Sequence, residues 1–429
     1  MVRISKRALL YFSLALLSGT ALARAATHSA PDIEGDGGVS AFYRWDAAIT
    51  QPGLPLREET FPATLSRPKV AGTALRILYT ATSGVGRGLV PVSGIVYLPA
   101  GAPPPGGWPI LAWAHGTTGF ADVCAPSWRG QPARDVAYLQ RWMEAGFAVV
   151  ATDYEGLGTK GVHPYLLWKS EGRSILDAVR AALKAKPGVL RNQVVIAGQS
   201  QGSGAALGAT YLAPDYAPDL HVLGTVATGL VVTFAGPQGD GYVKKPEQYT
   251  DPRQMDPGFA MLRIAGIDRA LHPELDPADF VTAKGRPLLD AARTSCLHDL
   301  FALSKEKGLT GEEVFVPDLK PLDADMEPNF VLPVAKMTVP IFAGTGLADG
   351  MAGTAGQYNA VKAMCDAGTR VQWHVYPGLS HNGAVNGSLA DSLPFVQALL
   401  KGETPKGNCA GITPPGPVQA STPGIPFND

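Results

Sequence analysis

The sequence predicts an α/β fold: a mostly parallel sheet with helices on both faces, broken late in the chain by a helical insertion. Three observations carry that expectation. Short apolar runs rich in β-branched residues, such as Val194-Val195-Ile196-Ala197, suit strands buried on both faces. These runs alternate with helical periodicities, and repeated strand–helix–strand order implies parallel pairing through crossovers. From Phe234 to about Pro333 the strand-like runs stop, and short helical pieces punctuated by prolines take over.

The elements follow in order. Residues 1–25 read as a secretory signal: basic Arg3, Lys6 and Arg7, an apolar run Ala8 to Leu17 too short for a comfortable membrane span, then small-residue sites with cleavage expected after Ala25. An uncleaved anchor is the alternative. The span 26–233 is expected to form the first part of the core. Its start is polar and glycine-rich, and Phe42 to Pro68 reads as an extended or short-helical lead-in. Two β-rich runs from Ala74 and Leu89, joined through Gly84-Val85-Gly86-Arg87-Gly88, read as an antiparallel pair at the sheet edge. Strands are expected at Pro109–Ala114, Phe147–Ala151, Val194–Ala197 and His221–Ala227. Helices are expected at Ala133–Ala145, with Val136, Leu139, Trp142 and Met143 on one stripe, at Gly172–Ala185 and from Ala205 to Leu212. Residues 234–333 read as a helical cap, with pieces at Phe259–Ala270, Leu288–Phe301 and Gly311–Val316. The core resumes over 334–401 with strands Val339–Ala343 and Arg370–Tyr376 and helices Gly356–Met364 and Leu389–Lys401. The tail, 402–429, is rich in Pro, Gly and Thr and lacks periodicity.

Composition narrows the class. The chain has 429 residues, 45% of them apolar, and a formal net charge of −1. Nothing in that balance points to nucleic acid or an anionic membrane surface. Four cysteines, Cys124, Cys296, Cys365 and Cys409, sit in an exported chain without C-x-x-C spacing, so two disulfides are expected, with three pairings open.

The chemistry gathers at Gly198-Gln199-Ser200-Gln201-Gly202. A strand before this G-x-S-x-G and small helix-compatible residues after it give the context of a nucleophile elbow. The two glycines make room where the chain turns sharply, and the helix N-terminus offers backbone N–H groups to a developing oxyanion. The alternative is a glycine-rich turn with an incidental serine. An activated serine needs a base and an acid that orients it. In the α/β-hydrolase arrangement the chain order is Ser, acid, His, on loops past strand ends. Only His381 follows both the serine and a post-strand acid. Asp349, after Val339-Pro340-Ile341-Phe342-Ala343-Gly344, takes the acid role, with Asp366 its nearest rival. The oxyanion donors are expected to be the backbone N–H groups of Gln201 and of Thr118, with Thr117 in reserve, in the loop His115-Gly116-Thr117-Thr118-Gly119. His115 reads as a loop-fixing hydrogen bonder, and His374 as a packed or surface residue of the last strand.

With these residues in place the chain resembles the secretory lipase family, the lipase-A-like branch of the α/β-hydrolases, from roughly Tyr43 to Cys409. The resemblance rests on HGTTG followed by Cys124-Ala125-Pro126-Ser127, DYEGLG at Asp153 to Gly158, SILDAVRAA at Ser174 to Ala182, GQSQG, the loop APDYAPDL, Asp349 and His381. It implies an exported serine esterase, with many members acting on triacylglycerols, and a helical cap before the acid strand. It also implies pairing of Cys124 with Cys296 and of Cys365 with Cys409. HGTTG looks like bacterial members, which makes long-chain fat a less secure substrate. The expected function is a secreted or periplasmic carboxylic-ester hydrolase acting on small-molecule or lipid esters, acylglycerols among them. It needs no metal or cofactor, no nucleic acid and no obligate protein partner, and touches a lipid interface transiently. Apolar cap residues, among them Phe259, Met261, Leu262, Ile264 and Phe280, are expected to wall the acyl site. An acyltransferase or a peptidase on the same fold, or a non-catalytic binding protein, are the competing readings. Acyl-chain length is not legible.

Overall fold

Nine strands form one sheet in the computed structural model, which describes residues 38–235, 241–246, 251–322 and 329–429. The strands are β1 (Pro55–Thr60), β2 (Ala71–Thr82), β3 (Leu89–Pro99), β4 (Trp108–Ala114), β5 (Ala148–Thr152), β6 (Leu190–Gln199) and β7 (Val222–Thr228). After a two-residue pair, β8 (Thr233–Phe234) and β9 (Val331–Leu332), come β10 (Ile341–Gly346) and β11 (Val371–Tyr376). The order across the sheet is β1-β2-β3-β5-β4-β6-β7-β10-β11. β1, β2, β3 and β5 pair antiparallel, and every contact from β5 to β11 is parallel. The sheet is therefore mostly parallel, as the alternation of runs predicts. The expected signal segment lies outside the described residues.

Both faces of the parallel part are covered, which is why β4 and β5 are buried along their whole length. One face carries α1 (Ala133–Glu144), whose Tyr138, Leu139 and Trp142 pack on Trp113 of β4, together with the closing helix α5 (Leu389–Leu400). In α1 Tyr138 is fully buried, while Val136, expected on the buried stripe, is half-buried. The other face carries α2 (Trp168–Ala185) and α3 (Gln201–Tyr216), with Ile175, Val179, Ala206 and Ala209 against Ile110, Val194 and Ile196. The helix α4 (Thr354–Asp366) sets Tyr358 and Val361 against Ala227 and Ile341.

Several elements differ from expectation. The lead-in contains β1, an edge strand with the charged, exposed sequence PLREET, so β2 and β3 are not the outermost pair. α2 begins at Trp168, four residues before its expected start. α3 continues into the first half of the expected loop, to Tyr216, with Pro214 in its last turn, where a missing N–H removes a single helical bond.

Between β7 and β10 the longer described elements are all helical: Pro257–Leu262, continuing through a π-helical stretch Arg263–Asp268 into Arg269–Leu271, then Arg286–Ala292, Leu297–Lys307 and Gly311–Val314. This is the helical cap before the acid strand. Met261, Leu262, Ile264, Leu288, Leu300 and Phe315 form its own core, joined by Phe120 and Tyr165 from the loops below. Residues expected to wall an acyl site are thus the cap's interior. A disulfide between Cys124 and Cys296 and a hydrogen bond from Leu297 N to Thr118 O (2.9 Å) fasten the cap to the HGTTG loop. Cys365 pairs with Cys409. Among the described residues no helix is long and apolar enough to cross a membrane.

Candidate active site

β6 is sixth in the sheet, and Gly198 registers with Ala114 of β4 and Ala227 of β7. The chain leaves β6 at Gln199 and enters α3 at Gln201, so Ser200 alone makes the turn, with φ 57° and ψ −124°. A non-glycine residue in the left-handed region is strained and persists only where its surroundings dictate it. Here they do. Ser200 N donates to Thr228 O (3.1 Å), and Ser200 O accepts from both Ser203 N (2.8 Å) and Ser203 Oγ (2.6 Å). A Cβ on Gly198 would overlap the Gly202 carbonyl, and one on Gly202 would overlap the Ala114 carbonyl. The two glycines of the motif therefore serve close backbone packing against each other and against β4.

Asp349 and His381 come from the next two parallel strand ends. β10 ends at Gly346 and β11 at Tyr376, and the loops beyond them meet: Leu347 N bonds Tyr376 O and Ala348 N bonds Leu379 O, both at 2.9 Å. His381 Nδ1 lies 2.7 Å from Asp349 Oδ2. Asp349 is 0% exposed, and its other partners are Met351 N (3.0 Å) and Ala352 N (2.9 Å) on Oδ1 and Gln357 Nε2 (2.7 Å) on Oδ2. Burial opposes its charge, but the His381 ring, its hydrogen bond and the backbone N–H groups outweigh that and hold the carboxyl below the usual range. A charged acid at Nδ1 puts the ring proton there and leaves Nε2 basic.

The His381 ring, 3% exposed, rests against Gly229: a Cβ there would stand 2.8 Å from Cε1 and 2.9 Å from Nδ1. The preceding residue, Thr228, holds Ser200 N. One short segment past β7 thus touches both the serine and the histidine. Nε2 is buried and makes no hydrogen bond, and no hydrogen bond joins it to Ser200 Oγ in this structure. Such bonds are often long before substrate binds.

The oxyanion candidates lie at the start of α3 and in the loop after β4. Gln201 is the first residue of α3, so its N–H has no partner within the helix. The loop after β4 runs directly beneath: a Cβ on Gly116 would meet Gln199 Oε1, 2.5 Å away. Thr118 turns its carbonyl to Leu297 of the cap, and Thr117 Oγ1 is 3.0 Å from Tyr165 Oη. His115 fixes the loop, as expected: its Nδ1 is 2.7 Å from Gly116 O, and its own carbonyl accepts from Tyr154 Oη (2.9 Å). His374 packs flat between Phe342 and Tyr376, away from the site.

Sequence reasoning missed four contributors. Gln357 on α4 shares Asp349 with His381. Gly229 receives the imidazole. Asn428, in the tail, accepts from Ser380 N (2.6 Å) and donates to Gly378 O (2.9 Å), bracing the loop that carries His381. Glu171 bonds the side chain of Gln201 (2.7 Å). Gln357 and Asn428 lie in no recognisable motif, and Gly229 is one glycine among 50. Glu171 fell just outside the expected start of its helix.

A serine on a strained strand-to-helix turn at the centre of a mostly parallel sheet, with a buried His–Asp pair on later strand ends, defines the α/β-hydrolase class. Residues 131–405 match the model of the family described as secretory lipase, and the chain belongs to that family. It is 28% identical to lipase A of Moesziomyces aphidis over 330 residues, 68% of this chain and 66% of that protein. It is 27% identical to a secreted triacylglycerol lipase of Malassezia furfur over 201 residues, 44% of this chain and 40% of the other. The matches thus span about two thirds of one relative's length and two fifths of the other's. Its fold is similar to that of Candida antarctica lipase A in the closed state, with a TM-score of 0.65, 20% identity and 89% of each chain covered.

Proposed function

We propose that the protein is an exported carboxylic-ester hydrolase acting through Ser200, His381 and Asp349. Ser200 Oγ attacks the acyl carbonyl while His381 Nε2 takes its proton. The carbonyl oxygen becomes an oxyanion held by the N–H groups of Gln201 and Thr118. Collapse of this intermediate breaks the ester C–O bond, and His381 returns the proton to the departing alcohol. Water then attacks the acyl-enzyme, giving its proton to His381, and the acid leaves as Ser200 is restored. Asp349 stays ionised throughout and steadies the imidazolium. The observation that carries this reading is the 2.7 Å His381–Asp349 contact, which leaves a buried, unbonded Nε2 beside the segment that anchors Ser200.

Acylglycerols are the proposed substrates. Support comes from relatives named as lipases and from a helical cap fastened to the HGTTG loop by a disulfide. Transient contact with a lipid interface, and action without an obligate partner, belong to the same proposal. We assign residues 1–25 to a signal peptide, 234–333 to the cap, the flanking spans 26–233 and 334–401 to the core and 402–429 to the tail. Export to the periplasm or beyond follows from the signal. The two relatives named above are fungal, so the bacterial character of HGTTG rests on the loop alone.

Hydrolysis of p-nitrophenyl esters by the parent and by Ser200→Ala tests the reading. The variant should lose at least ~10⁴-fold in kcat. Hydrolysis by Ser200→Ala at the parent rate would refute it.

A further inference from the structure

Around the side chain of Gln201, the residue after Ser200, lies a buried polar cluster that the proposed reaction does not use. Glu171, in the first turn of α2, is 1% exposed. Its Oε1 accepts from Gln201 Nε2 (2.7 Å) and Leu166 N (2.9 Å), and its buried Oε2 makes no hydrogen bond. His163 is fully buried with Nδ1 2.9 Å from Glu155 O, which places the ring proton on Nδ1. Its Nε2 therefore accepts from Gln201 Nε2, also at 2.9 Å. An amide nitrogen has two hydrogens, and both are committed. The cluster continues: His163 stacks on Tyr154 at 5.9 Å with the rings 9° apart, and Tyr154 lies 4.5 Å from the His115 ring. Tyr154 Oη then donates to His115 O. Tyr154 and Leu166 both have left-handed backbones, φ 72° and 61°, so this packing is imposed by its surroundings.

We infer that Gln201 is held by its side chain so that its backbone N–H points at the oxyanion, with Glu171 and His163 as the positioning residues and Tyr154 extending the brace to the loop carrying Thr118. The inference rests on the proposed ester hydrolysis and deepens it. A backbone N–H cannot be rotated alone. Ser203 holds the Ser200–Gln201 peptide from its carbonyl side, and the tethered side chain holds it from the Gln201 side. Burial lifts the Glu171 carboxyl to about 8, with the Gln201 and Leu166 hydrogen bonds opposing, so it is neutral at pH 7. The titratable groups facing it are His163, Tyr154 and Tyr165. Burial depresses His163 to about 3 and pushes both tyrosines up, so none of the three carries charge at neutral pH. Ionisation of Glu171 above pH 8 adds a negative charge against the side chain of Gln201.

Two variants separate positioning from packing. Gln201→Met keeps the backbone N–H and the side-chain length but removes the tether. Its kcat should fall about tenfold or more, with KM within threefold, because only the transition state uses the donor. Glu171→Leu should do the same. In the parent kcat should fall above pH 8; Glu171→Gln, which keeps a neutral carbonyl acceptor, should hold kcat within threefold of the parent's at pH 7 and remove that fall. A folded Gln201→Met with parental kcat, whatever its Tm, overturns the inference. So does a Glu171→Gln profile that falls with the parent's. If the parent itself shows no Ser200-dependent hydrolysis, the functional reading fails instead, and the two failures are distinct.

Discussion

Glu171 carries two donors on one carboxyl oxygen and none on the other, and that asymmetry has a consequence for stability. In the unfolded chain the carboxyl titrates near 4.5, whereas in the fold burial lifts it to about 8. Between those values the native state holds a proton that the unfolded state has released. Stability therefore falls as pH rises from about 4.5 to about 8 and is independent of Glu171 below that window. Glu171→Gln should raise Tm at pH 8.5, reflecting a stability gain on the order of a few kcal/mol, and leave it unchanged at pH 4. Thermal melts at the two pH values check the sign. Gly229 offers a second residue-scale prediction. Alanine there would place a Cβ 2.8 Å from His381 Cε1, on a backbone at φ 55°. The imidazole must move, and a displacement of about 1 Å can cost ~10²-fold in kcat. Gly229→Ala should show that loss in single-turnover kinetics while still binding substrate.

At the scale of elements, the tail is a strap. It has no strand, and only a short 3₁₀ turn at Cys409–Gly411, yet it is bonded along its course. Asn408 pairs with Trp373 through both side-chain atoms (2.8 and 2.7 Å), Gln419 N reaches Leu347 O (2.8 Å) and Asn428 clasps the residues on either side of Leu379. Removing residues 415–429 should lower kcat several-fold and raise hydrogen exchange at Gly378–Gly383, with the sheet unaffected. Parental exchange in that loop would contradict the role.

The strap was not legible because its bonds run from main chain to scattered polar side chains, which leave no period. β4, β5 and β6 were legible because burial on both faces forces continuous apolar runs. β1 was not, because an edge strand exposing Arg57, Glu58 and Glu59 carries no such mark. The same contrast holds in the site. Ser200, Asp349 and His381 could be found from chain order past strand ends. Glu171 and Gln357 matter through partners 30 and 8 residues away, respectively, on packed helices, and only the packing brings them together.

Across the whole molecule the cap and the sheet are joined at the HGTTG loop. Cys124 and Cys296 are buried and 172 residues apart. In the chain-entropy model such a cross-link contributes about 5 kcal/mol through the unfolded state. Replacing both cysteines with serine should lower Tm markedly, and an unchanged melt would show the cap to be held by its apolar core alone. At the same junction Thr118 accepts from Leu297 N of the cap through its carbonyl (2.9 Å).

All of this turns on one serine. Labelling with a fluorophosphonate ester, followed by mass spectrometry of the digested protein, tests it most directly. The account predicts one adduct per chain, on the peptide containing Ser200, abolished in Ser200→Ala and slowed at least ~10³-fold in His381→Ala. An adduct on any other residue, or labelling of Ser200→Ala at the parental rate, would contradict it.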